Sequence, residues 1–88
     1  MKIRRSDSFK RAYRSLPKPI QEKADQKLAL LVSNPEHPSL RLRKMEGYKR
    51  PNVWELSVTM KYRVTFEIHP DHYRLLKVGT HDILRHPR

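Results

Sequence analysis

Val53-Trp54-Glu55-Leu56-Ser57-Val58-Thr59 and Tyr62-Arg63-Val64-Thr65-Phe66-Glu67-Ile68 decide the fold. Apolar and polar residues alternate along both runs, and a side-chain period of two marks strands with one covered face. Only Met60 and Lys61 separate the runs, so they pair as neighbouring antiparallel strands around a short turn. Parity then puts Trp54, Leu56, Val58, Tyr62, Val64 and Phe66 on one face. Glu55, Ser57, Arg63, Thr65 and Glu67 share the other, because a one-residue slip would invert both faces together. The apolar face is expected under helices and the polar face open for function.

Downstream, His69-Pro70-Asp71 makes a turn, and Tyr73 to Val78 reads as a further strand closed by Gly79. Its adjacent Leu75 and Leu76 suggest burial on both faces. Upstream, Leu40 to Met45 alternates Leu40 and Leu42 with Arg41 and Arg43, predicting a strand with one basic face that ends at Glu46-Gly47. Met1 to Arg5 suits a short edge strand whose arginines face solvent.

Two helices lie between. Ser8 is the expected cap of the first, whose Phe9, Ala12, Tyr13 and Leu16 fall at i, i+3, i+4 and i+7. Pro17 and Pro19 fit the first turn of the second, where an N–H has no intrahelical acceptor to lose. Ile20, Ala24, Leu28 and Leu31 form its apolar stripe, and Asn34-Pro35 stops it. The fold class is therefore α+β: an N-terminal helical hairpin packed on a mostly antiparallel sheet of four to five strands.

A chain of 88 residues has room for one core, so one domain is expected across residues 1–88. Twenty Lys and Arg against nine Asp and Glu leave a net charge of +11, which calls for a polyanion or an acidic protein partner. Without cysteine, neither a disulfide framework nor a cysteine-based zinc site can staple the fold. His69-x-x-His72 offers two turn ligands where structural zinc takes four, so neither a metal nor another cofactor is expected. No run approaches the roughly 18 apolar residues of a membrane span, and the expected compartment is the cytoplasm, with no membrane partner. Charge is densest at Arg41, Arg43, Lys44, Lys49 and Arg50, five cations within ten residues that meet one acid, Glu46. Such a stretch is either a solvated face or a docking surface for RNA phosphates.

The order of helices and strands resembles the RelE/ParE superfamily of bacterial toxins. The likeness is carried by Val53-Trp54-Glu55-Leu56, Lys61-Tyr62-Arg63-Val64-Thr65-Phe66 and Val78-Gly79-Thr80-His81-Asp82 in succession, and it spans nearly the whole chain. The ending Gly-Thr-His is most similar to the YafQ-like and related RelE-like branches. The resemblance implies the toxin of a type II toxin-antitoxin pair, a metal-independent endoribonuclease that cuts mRNA on the ribosome and stops translation. Its implied partners are the ribosome with its mRNA and rRNA, which the basic stretch would contact, and an acidic cognate antitoxin.

By the same resemblance Arg63 contacts the scissile phosphate, a task that suits two parallel guanidinium N–H donors. The residues alone equally allow an ion pair with Glu55 or Glu67 across the sheet. His81 would carry the proton between the ribose 2′-OH and the departing 5′-oxygen. Asp82 would either orient that ring or begin a C-terminal turn. Lys61 would either stand near the phosphate or serve as an ordinary turn lysine. Glu55 and Ser57 occupy a strand where the RelE branch carries lysines, and the tail Leu84 to Arg88 lacks that branch's tyrosine. Two alternatives therefore stay open: a ParE-like inhibitor of DNA gyrase, and an RNA-binding toxin homologue that has lost catalysis.

Overall fold

The hairpin forms in the anticipated register, with Trp54 opposite Phe66, Leu56 opposite Val64 and Ser57 opposite Arg63. The computed structural model describes residues 1–45 and 52–80. In chain order these form β1 (Lys2–Arg5), α1 (Asp7–Arg14), α2 (Lys18–Ser33), a 3-10 turn (Pro38–Leu40), β2 (Arg43–Lys44), β3 (Val53–Ser57), β4 (Tyr62–Ile68) and β5 (His72–Thr80). One five-stranded sheet runs β1-β5-β4-β3-β2. Only the β1–β5 pairing is parallel. The helical hairpin on a mostly antiparallel sheet is thus the architecture expected from the sequence.

The helices close over the apolar side of the sheet. Leu56, Val58, Val64 and Phe66 meet Phe9 of α1 and Ala24, Leu28 and Leu31 of α2, all 4% exposed or less. Each large side chain buried there contributes about 1.5–3 kcal/mol. The Phe66 ring meets Tyr73 edge-on at 5.7 Å, an arrangement that aromatic quadrupoles favour. The two helices are clamped together by polar contacts: the Tyr13 hydroxyl donates to the Asp25 carboxylate at 2.9 Å, and Gln21 Nε2 donates to the Tyr13 carbonyl at 2.9 Å. Among the described residues no helix is long and apolar enough to cross a membrane.

Three local expectations are corrected. Ser6, not Ser8, caps α1: its Oγ accepts the Phe9 N–H at 3.1 Å and donates to the Leu76 carbonyl at 3.0 Å. Both serines have the right chemistry, but only Ser6 stands where the chain leaves β1 beside β5.

The strand expected over Leu40 to Met45 shrinks to Arg43–Lys44. Pro38 presets a helical φ, and the His37 ring accepts the Ser39 N–H at 3.1 Å, so the chain winds into a 3-10 turn. Leu40 is then wholly buried by the turn rather than by alternation. Arg41 takes a left-handed conformation at φ 47°. The Glu46-Gly47 strand end lies outside the described residues.

Leu75 and Leu76 are adjacent because of a bulge. Thr65 pairs with Lys77 while Phe66 pairs with Leu75, which leaves Leu76 as the extra residue. Leu75 is fully buried and Leu76 only half. The carbonyl of this extra residue is the one Ser6 bonds.

Ser6→Ala should therefore lower the unfolding free energy by about 1–2 kcal/mol in urea titrations, since both the cap and the tertiary bond are lost. Ser8→Ala should stay within about 0.5 kcal/mol. Equal effects at the two positions would contradict the assignment of the cap.

Candidate active site

β4 leaves its turn at Tyr62 and immediately presents Arg63 on the face opposite the helices, between Ser57 of β3 and Gly79 of β5. Glycine at 79 leaves room beside the guanidinium. The turn itself is held by Thr59, whose Oγ1 accepts the N–H groups of Lys61 at 3.2 Å and Tyr62 at 3.1 Å.

Arg63 folds back over this turn. Its Nη1 donates to the carbonyls of Thr59, of Met60 at 2.8 Å and of Tyr62 at 3.2 Å. Its Nε lies 3.6 Å from Glu55 Oε1, with the arginine side chain 19% exposed and the glutamate 5%. Of the two carboxylates that strand parity offered, Glu55 is the one used. Glu67 instead meets His69 Nε2 at 3.0 Å and Arg74 Nη1 at 3.8 Å. Among the described residues, Arg63 Nη2 enters none of these bonds.

Parity grouped the polar face correctly, but that face is not open. Glu55, Ser57, Thr65 and Glu67 are all buried. Sequence spacing reports which side of a strand a residue takes, not what lies over it. Arg63, at the turn end of this face, is 19% exposed.

The other proposed site residues divide. Lys61 is exposed in the turn at that same end. Arg41, Arg43 and Lys44 are exposed, but they do not line one strand face: Arg41 caps the 3-10 turn, while Arg43 pairs with Glu55 and Lys44 with Trp54 on opposite faces. Arg43 thereby shares the face of Glu55 and Arg63. Sequence reasoning missed this relation because it depends on the register of β2, hidden by the intervening loop. His81, Asp82, Lys49 and Arg50 lie outside the described residues. The described chain ends at Thr80, opposite Tyr62 and one position from the Arg63–Gly79 pair.

At the far end of the β4–β5 hairpin the rings of His69 and His72 stack in parallel, centroids 4.6 Å apart. Each imidazole already has a carboxylate: Glu67 for His69, and Asp71 for His72, at 2.7 Å.

The family model described as the ParE toxin of type II toxin-antitoxin system, parDE, matches residues 3–84. The chain belongs to this ParE toxin family. The RelE/ParE superfamily indicated by the sequence motifs is therefore the right one. Solved structures share the toxin's fold at low identity. YafQ from Escherichia coli BL21(DE3) superposes with a TM-score of 0.78 at 16% identity, covering 93% of this chain and 94% of its own. The YoeB/ParE toxin from Agrobacterium tumefaciens gives 0.76 at 14%, covering 92% and 99%. The archaeal RelE-RelB complex from Pyrococcus horikoshii OT3 gives 0.72 at 18%, covering 90% and 92%. No curated protein matches.

In this toxin, Arg63→Ala should lower the unfolding free energy by about 2 kcal/mol. That is less than the 3–5 kcal/mol of a fully buried pair, because the guanidinium is partly hydrated. A double-mutant cycle with Glu55→Gln should show coupling of about 1 kcal/mol, and strict additivity would mean the pair contributes nothing.

The His72 hydrogen bond holds the Asp71 carboxyl below its ordinary value of 3.8. A lowered folded value means that the contribution is present in full above 3.8 and fades as pH falls through the lowered value. Asp71→Asn should remove this part of the acid limb. A carboxyl-carbon NMR titration placing Asp71 at or above 3.8 would contradict it.

Proposed function

We propose that the toxin is a ribosome-dependent mRNA endoribonuclease that inhibits translation, acting in the cytoplasm as a single domain without a cofactor. The observation that carries this reading is the setting of Arg63. Glu55 and the turn carbonyls fix Nε and Nη1 and leave the Nη2 edge of a partly exposed guanidinium for a phosphate oxygen.

In the proposed step, the ribose 2′-oxygen attacks phosphorus, the 5′-oxygen leaves, and a cyclic 2′,3′-phosphate remains. Arg63 stabilises the doubly charged phosphorane, where fixed donors act most strongly. His81, which follows Thr80 in the sequence, takes the 2′-OH proton or protonates the 5′-oxygen. Lys61 adds positive charge at the same sheet end, and Asp82 is the candidate to orient His81. Arg41, Arg43, Lys44, Lys49 and Arg50 dock on ribosomal RNA.

An acidic antitoxin is the proposed inhibitor. The DinJ-YafQ toxin-antitoxin complex and the archaeal RelE-RelB complex, both of this fold, support that partner. A second reading, inhibition of DNA gyrase, is favoured by the family's description as ParE and by Glu55 standing where the RelE branch carries a lysine.

Incubation with translating ribosomes followed by mapping of mRNA ends should show new breaks. Arg63→Ala and His81→Ala should each slow them by about 100-fold or more. Intact message at doses that arrest growth would sink the ribonuclease reading, and loss of supercoiling by gyrase in the same extract would establish the second.

A further inference from the structure

A cleft of about 470 Å³ opens on the helical side of the sheet end that carries Arg63. Its polar lining comes from Ser8, Arg11 and Ser15 of the α1 region and from Tyr62 and Thr80 of the sheet, and Lys77, opposite Thr65, borders it where β5 runs beyond its pairing with β1. Leu16 and Val78 give it an apolar floor. Among the described residues that line it, none is acidic, and both cations are exposed. Its volume falls within the range of small-ligand pockets, about 300–1,000 Å³.

From this cleft we infer a nucleotide subsite, which takes one nucleotide of a single-stranded RNA next to the residue held at Arg63. Cations and hydroxyls are the groups that meet phosphate and sugar oxygens, and an aromatic ring beside an apolar floor suits a splayed-out base. Tyr62 and Arg63 are consecutive on β4 and point to opposite faces, while Gly79 and Thr80 pair with them on β5. A strand of RNA passing round this end of the sheet therefore meets Arg63 on one side and the cleft on the other. The inference rests on the ribonuclease reading only for the source of the RNA.

The test uses the full chain and a fluorescent 2′-O-methyl oligouridylate of about six nucleotides, which has no free 2′-OH and so reports binding without cleavage. Arg11→Ala/Lys77→Ala should weaken binding roughly tenfold near 0.1 M salt. It should also reduce the slope of log K against log salt by about 1.4, the value for two phosphates on a single strand. Lys2→Ala/Lys23→Ala removes the same charge from outside the cleft lining and should leave the slope within a few tenths. Equal losses in both pairs would show only the general field of the protein and overturn the subsite.

A 4-thiouridine probe should crosslink to the peptide containing Tyr62 in the unmutated toxin, and crosslinking confined to other peptides would overturn it as well. So would an acidic peptide whose binding depends on Arg11 and Lys77 while the RNA probe is indifferent to them, since the occupant would then be a protein. Message cut normally by a toxin whose probe ignores the cleft removes the subsite alone. Probe held in the cleft with message left intact removes the ribonuclease reading alone.

Discussion

Val64 and Phe66, both wholly buried, stand on β4 with β3 on one side and β5 on the other. The helices pack on them, so every other element takes its place from this strand. The constraint extends to the polar face. Once Val64 and Phe66 face the helices, Arg63, Thr65 and Glu67 must face away, and each must then find polar partners in whatever space the sheet leaves. Glu55 meets Arg63, and Glu67 meets His69 and Arg74. The candidate phosphate ligand is therefore built into the same alternation that builds the core.

This explains which parts were legible in advance. Period-two alternation is a property of the chain alone, so β3, β4, their register and the company of Arg63 could be read directly. The helices were legible for a similar reason, since the Ile20, Ala24, Leu28 and Leu31 stripe needs no knowledge of its partner. The cap of α1 was not, because Ser6 is distinguished from Ser8 by the Leu76 carbonyl far along the chain. Nor was β2, where Pro38 and the His37 ring override an alternating pattern. The burial of the polar face was hidden too, since parity fixes direction but carries no information on cover.

Arg63 illustrates how two readings of one residue coexist. Its ion pair with Glu55 was the plain structural alternative to a phosphate contact, and the pair is present. Yet a guanidinium has five N–H donors in a fixed plane, so holding Nε and Nη1 also sets the direction of Nη2. A carboxylate and turn carbonyls that hold Nε and Nη1 limit the rotamers through which the arginine would otherwise search. Preorganisation of this kind would lower the entropy lost on binding a phosphate in the proposed reaction. The arrangement also makes the turn sensitive: Thr59 holds its shape, and any change there moves the anchor.

The parallel pairing of β1 with β5 joins the first strand of the described fold to the last. The Ser6–Leu76 bond bridges a separation of 70 residues. Contacts so distant in sequence slow folding, because a long loop must close before any reward is gained. During synthesis β1 waits for β5, and α1 cannot be capped fully until the bulge at Leu76 exists. Most of the core, including the β3–β4 hairpin, can assemble earlier. The sheet end where Arg63 faces Gly79 is thus completed only once β5 has been made, so the nascent chain passes through an interval in which Arg63 has β3 beside it but not β5.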